Sequence, residues 1–355
     1  MSVPLPPFTT AQDATSFSHT VGPWLHQLSL AHVLPLLNRT VSPTDWYFTT
    51  NPVITAILVS LALSVFFFLL QLVTRNSSQV DRAWSILPPL YIAHFTAYAH
   101  YALDNVETDR LDSALVFSII WGARLTFNFW RRGGYSYGHE DYRHAVIQQR
   151  LFAQPWYTLY SAVFLALYQN VLLAALTFPA YILLLLSYNP TPMPFITGDK
   201  FFTQGLVVLV LLETLADHQQ YSFQTAKAQY KATGVVPQGF HAEDLDRGFC
   251  VSGLWAMSRH PNFVCEQAIW VVLYQWTCWQ TDVMYHWAGA GVAGLLAVFQ
   301  GSVWLTEKLT AEKYPEYKEY QKVVPKFFPG YKQLKKDFGL DAPSGPTAPI
   351  PVKRD

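Results

Sequence analysis

The stretch that decides the fold is Val53–Val73, VITAILVSLALSVFFFLLQLV, which contains no Asp, Glu, Lys or Arg. Its length matches the roughly 20 apolar residues that a helix needs to cross a bilayer. The rest of the chain has a similar character, because only 14% of its 355 residues are charged and 51% are hydrophobic. Soluble proteins carry about 25% charged residues. The sequence therefore predicts an all-α, polytopic membrane protein.

Six further apolar segments bring the predicted number of transmembrane helices to about seven, joined by polar loops. The run from Trp156 to Tyr188 is too long for one upright helix, and Pro179 is expected to break it. Phe178–Tyr188 is then either a re-entrant piece or part of a long span. The predicted spans are Val53–Val73, Trp84–Leu103, Leu111–Trp130, Trp156–Leu176, Phe201–Ala216, Phe263–Gln280 and Trp287–Leu305.

The basic residues are distributed unevenly, although 24 basic and 24 acidic residues give a formal net charge of zero. Twenty of the 24 basic residues lie after the first, third and fifth spans and in the C-terminal tail. The positive-inside rule therefore predicts cytosolic connecting loops and a cytosolic C-terminus. Composition and this orientation together divide the chain into three parts. These are a polar, non-cytosolic N-terminal segment (1–50), a transmembrane domain (51–330) and a basic, Pro-rich cytosolic tail (331–355). The charge balance argues against nucleic acid as a partner.

The most informative polar motif is Ser258–Glu266, SRHPNFVCE, at the start of the sixth predicted span. Pro261 is favourable in the first turn of a helix, which leaves Arg259 and His260 just outside the membrane. Glu266 then lies about one turn inside it, where an ionisable side chain usually marks a functional site. The alternative is a juxtamembrane anchor in which Arg259 binds lipid phosphate.

A second group of polar residues follows the fifth predicted span. Glu213, Asp217, Gln220 and Gln224 are spaced four, three and four residues apart, which places them on one face of a helix. Glu213 interrupts an apolar run. The stripe could line a pocket that begins in the membrane and opens to water, or it could be the solvated face of an ordinary amphipathic helix end.

Two other polar segments have a functional and a structural interpretation. The loop 131–143, RRGGYSYGHEDYR, includes Glu140 and Tyr142, and its arginines could bind phosphate or simply satisfy the charge bias. His139-Glu140 followed by His144 does not have the spacing of a zinc site, so no metal is predicted. Asp81, which precedes the second span, is either functional or the N-cap of a helix.

Three tyrosines spaced three residues apart, Tyr314, Tyr317 and Tyr320, follow the last span in a basic segment. Tyrosine offers a stacking face and a hydroxyl group, so these residues could form the wall of a pocket. The alternative is a helix that lies on the membrane surface.

Taken together, these motifs resemble the DUF1295 family of membrane proteins, which is related to the steroid 5-alpha-reductase C-terminal domain family. The segment Ser258–Glu266 is similar to the family signature SRHPNYFGE, with Cys265 in place of glycine. The resemblance extends from about residue 80 to residue 330. The companion motifs are Asp81–Pro88, Arg124–Arg132, Glu140–Arg143, Glu213–Gln220 and Pro315–Pro329.

The resemblance implies a membrane oxidoreductase that uses NADPH to reduce a carbon–carbon double bond of a lipid. The lipid would be a steroid or sterol, an enone lipid, or an acyl or polyprenyl lipid. In a eukaryotic cell the membrane would be that of the endoplasmic reticulum. Asp217, Asn262, Glu266 and Tyr314 match positions that contact the cofactor, whereas Glu213 and Gln224 replace an Asn and an Arg. The candidate cofactor-binding residues are Glu213, Asp217, Gln224, Arg259, His260, Asn262, Glu266, Tyr314 and Tyr317. The weaker catalytic candidates are Glu140, Tyr142 and Asp81.

Two other functions remain open at this point. Isoprenylcysteine and phospholipid methyltransferases, which bind S-adenosylmethionine, also resemble the chain in an Arg-His-Pro motif and a Tyr-rich C-terminal helix. A non-catalytic protein that binds lipid or acts as a scaffold is the third possibility. The Asn262 and Glu266 positions favour the reductase over the methyltransferase.

Overall fold

The computed structural model describes residues 4–7, 9–189 and 193–328, and all regular secondary structure within these ranges is helical. The predicted all-α class is thus confirmed. The chain divides into two compact units. The first unit is Met1–Val210 with Gln267–Phe299, and the second is Leu211–Glu266 with Gln300–Asp355. The predicted cytosolic tail, 331–355, lies outside the described residues.

The helices vary in length from a single turn to ten turns. Short 3₁₀ helices occur at Ala11–Thr15, Gly22–Leu28 and Trp287–Gly289, and Ser161–Tyr168 is π-helical. The α-helices are α1 (Phe17–Thr20), α2 (Leu30–Leu37), α3 (Pro43–Thr49), α4 (Pro52–Thr74), α5 (Gln79–Ala83), α6 (Leu87–Ala102), α7 (Asp109–Arg131), α8 (Tyr142–Arg150), α9 (Trp156–Tyr160), α10 (Gln169–Ala175), α11 (Phe178–Ser187), α12 (Thr197–Thr233), α13 (Ala242–Arg247), α14 (Leu254–Met257), α15 (Pro261–Gln280), α16 (Ala290–Lys313) and α17 (Tyr317–Val323).

Four helical stretches among the described residues are long and apolar enough to cross a membrane: Pro52–Thr74, Trp156–Ser187, Thr197–Thr233 and Trp287–Lys313. The number of seven spans stays a prediction. Of the other expected spans, α6 has only 16 residues, fewer than the roughly 20 that a bilayer requires. Helices α7 and α15 contain polar side chains that lower their hydropathy.

The first predicted span forms α4, and its ends follow from local chemistry. The Asn51 side chain accepts a hydrogen bond from the Val53 N–H at 3.0 Å, which caps the helix, and Pro52 occupies the first turn. Large apolar side chains such as Phe66 and Leu69 are exposed on the helix surface. Such a surface is unfavourable in water but suited to lipid.

Within the Trp156–Ser187 stretch, α10 ends at Ala175 and α11 begins at Phe178 with Pro179 in its first turn, so the stretch is interrupted by a two-residue turn just before this proline. Helix α11 is almost completely buried inside the first unit, where it packs against α6 and α7. Its side chains from Ile182 to Leu185 have no exposed surface. The segment of uncertain topology is therefore a core helix of this unit.

The N-terminal segment folds onto the first unit through buried polar contacts. The Asn51 amide donates to the Pro4 carbonyl at 2.9 Å and to the Tyr181 hydroxyl at 3.0 Å. The Tyr181 hydroxyl in turn donates to the Thr20 carbonyl at 2.9 Å. Because buried polar groups require partners, these bonds hold residues before α4 against α11.

A second buried network in this unit is built around Asp199, which has no exposed surface. The Arg110 guanidinium binds its carboxylate through two hydrogen bonds, of 2.9 and 3.0 Å. The Trp276 indole donates at 2.7 Å, and Gln280 donates to the same carboxylate. The network joins α7, α12 and α15, and its many hydrogen bonds compensate for burying two charges.

Candidate functional site

All nine candidate cofactor-binding residues belong to the second unit. Arg259 lies just before α15, and its side chain is 10% exposed. The guanidinium donates to Glu307 at 2.7 and 3.2 Å and to the carbonyls of Gln321 and Val324 at 3.1 and 2.6 Å. The Arg259 N–H also donates to the Pro325 carbonyl at 3.0 Å. Arg259 therefore ties α16 to the end of α17 and is largely occupied by protein partners.

Glu307 on α16 is the centre of this network, and sequence reasoning missed it. Besides Arg259, it accepts hydrogen bonds from the His260 Nε2–H at 2.9 Å and from the Gln321 amide at 3.0 Å. A carboxylate only accepts, so this bond fixes the proton on Nε2 when His260 is neutral. The sequence offered one signal for this role, a carboxylate in the last apolar helix. It could not reveal the partners of Glu307, because they lie 14 to 48 residues away along the chain.

Two of the predicted cofactor residues are in direct contact. The Asn262 amide, in the first turn of α15, donates to Asp217 on α12 at 3.0 Å. On the same predicted stripe, Gln220 has a buried Oε1 atom with no hydrogen-bond partner among the described residues. Gln224 is half-buried one turn further along. Asp217 of the stripe thus holds the Asn262 amide in place, and Gln220 contributes a buried amide oxygen without a donor among the described residues.

The two glutamates of the site are both buried, at 4% exposure for Glu213 and 5% for Glu266. Both lie in the second unit, Glu213 on α12 and Glu266 on α15. The solvated-face interpretation of the α12 stripe therefore does not hold for Glu213. Carboxylates are rarely buried unless they are paired or functional, which keeps both residues as candidates.

The connection between α12 and the segment before α15 is fixed by backbone contacts. The Trp255 indole donates to the Ala216 carbonyl at 3.1 Å, and the Gln219 side chain accepts from the Leu254 N–H at 3.0 Å. The Tyr320 hydroxyl donates to the Trp255 carbonyl. The first of these bonds fastens the segment before α15 to the residue next to Asp217, and so supports the Asp217–Asn262 contact.

The three tyrosines are in different environments. Tyr317 and Tyr320 are buried in a hydrophobic cluster with Phe249 and Val324, and burial raises the pKa of both phenols. Tyr314 is half-buried, with its ring close to the ammonium groups of Lys227 and Lys313. Tyr317 and Tyr320 therefore belong to the core of this unit, whereas Tyr314 keeps some exposure beside two ammonium groups.

The three catalytic candidates belong to the first unit. Asp81 lies within the first turn of α5 and not at its N-cap, and its carboxylate is 3.2 Å from the His144 Nε2. Glu140 accepts a hydrogen bond from the Ser77 N–H at 2.6 Å. Tyr142 is the first residue of α8 and is 59% exposed. Asp81 and Glu140 thus hold local structure, while Tyr142 has an exposed side chain.

The residue between these candidates, Asp141, caps α8 and pairs with Arg143 through hydrogen bonds of 2.9 and 2.8 Å. Burial favours the neutral carboxyl, but the Arg143 guanidinium outweighs it and lowers the pKa of Asp141. The His144 Nδ1 beside this pair is buried and has no partner in the described part of the chain. Among the described residues, no three His, Cys, Asp or Glu side chains lie together as metal ligands would.

A groove of about 510 Å³ lies elsewhere in the first unit, between α7 and the N-terminal part of α12. Its walls are mostly apolar and include Val116, Phe117 and Val207, with Asp109 and Asp112 at one end. No candidate residue of the sequence analysis lines it. Its composition suits a hydrocarbon chain more than a nucleotide.

Comparison with known proteins gives the family. The model of the family described as "Protein of unknown function (DUF1295)" matches residues 67–324. The chain belongs to this family. It is 35% identical over 328 residues to the uncharacterized protein C594.04c of Schizosaccharomyces pombe, which covers 92% of this chain and 93% of that protein. No solved structure matches the chain significantly.

Proposed function

We propose that the protein is an integral membrane reductase that uses NADPH to reduce a carbon–carbon double bond of a lipid. The observation that carries the proposal is the gathering of all nine candidate cofactor residues in one unit, where the Asn262 amide is held by Asp217 at 3.0 Å. The resemblance to steroid reductases supports it, because Asp217, Asn262, Glu266 and Tyr314 match positions that contact the cofactor there.

The donor set in the second unit fits a dinucleotide. A nicotinamide carboxamide both donates and accepts hydrogen bonds, and the ribose hydroxyls do the same. The buried Gln220 Oε1 lacks a donor among the described residues. Glu213 and Glu266 are buried, and a carboxylate can accept hydrogen bonds from hydroxyl or amide groups. These residues would hold the nicotinamide riboside end.

When bound, NADPH would supply a hydride to the acceptor carbon. The protein residues would bind and orient it and keep water away, which is where enzymes gain much of their rate in such transfers. Asn262 is already positioned by Asp217, so little conformational entropy would be lost on binding. The membrane-crossing character of four helices and the apolar groove of the first unit support a lipid as the acceptor.

The test is a measurement of nucleotide affinity on purified protein in nanodiscs. Replacing Glu266 with Gln should weaken NADPH binding about tenfold or more, because hydrogen bonds to charged groups contribute about 1.5–3 kcal/mol. Glu319→Gln is the matched control, since Glu319 is exposed and pairs only with Lys322 at 2.7 Å in the described chain. It should leave the affinity within about twofold.

Three outcomes would count against the proposal. Unchanged NADPH affinity in Glu266→Gln would remove this residue from the site. Saturable binding of S-adenosylmethionine by the wild-type protein, with no binding of NADPH, would favour the methyltransferase. A folded protein that binds neither would be a non-catalytic member of the family.

A further inference from the structure

The second unit contains two lysines against the ring of one tyrosine and a third lysine close to the first of them. The Lys227 Nζ lies 5.6 Å from the centre of the Tyr314 ring, and the Lys313 Nζ lies 5.3 Å from it. Lys231 follows Lys227 by one turn of α12, and its charge and that of Lys313 both act on the Lys227 ammonium. We call Lys227, Lys231 and Lys313 the lysine cluster.

The lysine cluster lacks the carboxylate counter-ions that Arg247, Arg259 and Lys322 of this unit have. Arg259 pairs with Glu307 at 2.7 Å, Arg247 with Asp244 at 2.7 Å, and Lys322 with Glu319 at 2.7 Å. Within the described residues, none of the three cluster lysines forms an ion pair with a carboxylate. Neighbouring positive charges repel one another, so a bound anion would stabilise the lysine cluster by reducing this repulsion.

The arrangement is fixed by the backbone. Gly248 ends α13 with a φ of 86°, and the Lys227 Nζ donates to its carbonyl at 2.8 Å. A Cβ atom at Gly248 would collide with the Tyr314 ring, so this backbone can approach the ring only because residue 248 is glycine. The two ammonium groups also outweigh burial and lower the pKa of the Tyr314 phenol. One lysine is thus anchored, and two exposed ammonium groups lie near it.

We propose that the lysine cluster, with Tyr314 at its centre, binds the 2′-phosphate of NADPH and makes the protein prefer NADPH to NADH. The inference rests on the proposed function and adds to it the residues that select between the two nucleotides. A phosphate monoester carries a charge of about −1.5 to −2 near pH 7, which three ammonium groups can neutralise.

The test compares the affinities for NADPH and NADH in the wild-type protein and in the double variant Lys231→Gln, Lys313→Gln, measured by calorimetry in nanodiscs. Both residues are exposed, so the substitutions should not impair folding. The NADPH affinity should fall about tenfold or more and the NADH affinity should change less than about twofold, because only NADPH loses charged hydrogen bonds. Lys318→Gln is the matched control, since Lys318 is an exposed lysine outside the charges that act on Tyr314.

The same phosphate chemistry is found in membrane lipids, so a second arm measures binding to vesicles with and without phosphatidic acid. A loss of vesicle binding in the double variant, with unchanged NADPH affinity, would overturn the proposal in favour of a lipid headgroup. Equal losses for NADPH and NADH, or no loss for either, would overturn it while leaving the reductase intact. A wild-type protein that binds neither nucleotide would reject the proposed function and this inference together.

Discussion

The second unit contains two kinds of cation: Arg259, which is paired with a carboxylate, and the lysine cluster, which is not. The Arg259 guanidinium is 10% exposed and is bound by the Glu307 carboxylate and two backbone carbonyls. The cluster lysines have a phenol ring, one carbonyl and each other. The contrast teaches that a conspicuous arginine in a motif can serve the protein's own structure, while cations without a carboxylate partner are better placed to bind an anionic ligand.

The largest effect should come from breaking the Arg259 network. Glu307→Gln removes the charge that three side chains share and leaves Arg259 buried without it. Loss of one partner of a buried pair costs about 3–5 kcal/mol, and we expect about 3 kcal/mol because both side chains keep some exposure. Unfolding monitored by circular dichroism in detergent would measure it.

The control for this prediction is Glu319→Gln, which removes an exposed partner of Lys322 and should cost less than about 1 kcal/mol. Equal losses in the two variants would show that the Arg259 network is no more stabilising than a surface pair. In that case the contrast between a paired arginine and unpaired lysines would lose its basis.

The helical framework could largely be predicted from the sequence, because apolar runs of sufficient length have few alternatives to a helix in lipid. The Glu213–Gln224 stripe was correctly predicted to be helical, since spacings of three and four residues are a local property. The whole of Thr197–Thr233 as one helix was not anticipated, because its second half is polar and is held by contacts with distant residues such as Trp255.

The candidate site was less predictable for the same reason. Glu307 acquires its role from Arg259 and His260, which are 48 and 47 residues away along the chain. The equal spacing of the tyrosines in the sequence also concealed that Tyr317 is buried in a hydrophobic cluster while Tyr314 is only half-buried, beside two lysines. Residue types indicate which chemistry is available, but tertiary contacts determine which of these groups are already in use.

The smallest effect should appear in the ionisation of Tyr314, which tests directly whether the lysine cluster has a net positive field. Burial opposes ionisation, but Lys227 and Lys313 outweigh it and lower the pKa of this phenol. As pH rises, Tyr314 should therefore lose its proton below the ordinary pKa of a phenol, and a small early step should appear in the tyrosinate absorbance. Tyr314→Phe should abolish that step, and Lys313→Gln should move it to higher pH, because removing a nearby positive charge destabilises the phenolate.

Because the chain has 20 tyrosines, the step is measured as the difference between the titrations of the wild type and of Tyr314→Phe. If the titrations of wild type and Tyr314→Phe have the same shape in the early region, the cluster is already neutralised by an anion or by solvent. The electrostatic distinction between the lysines and Arg259 would then be rejected.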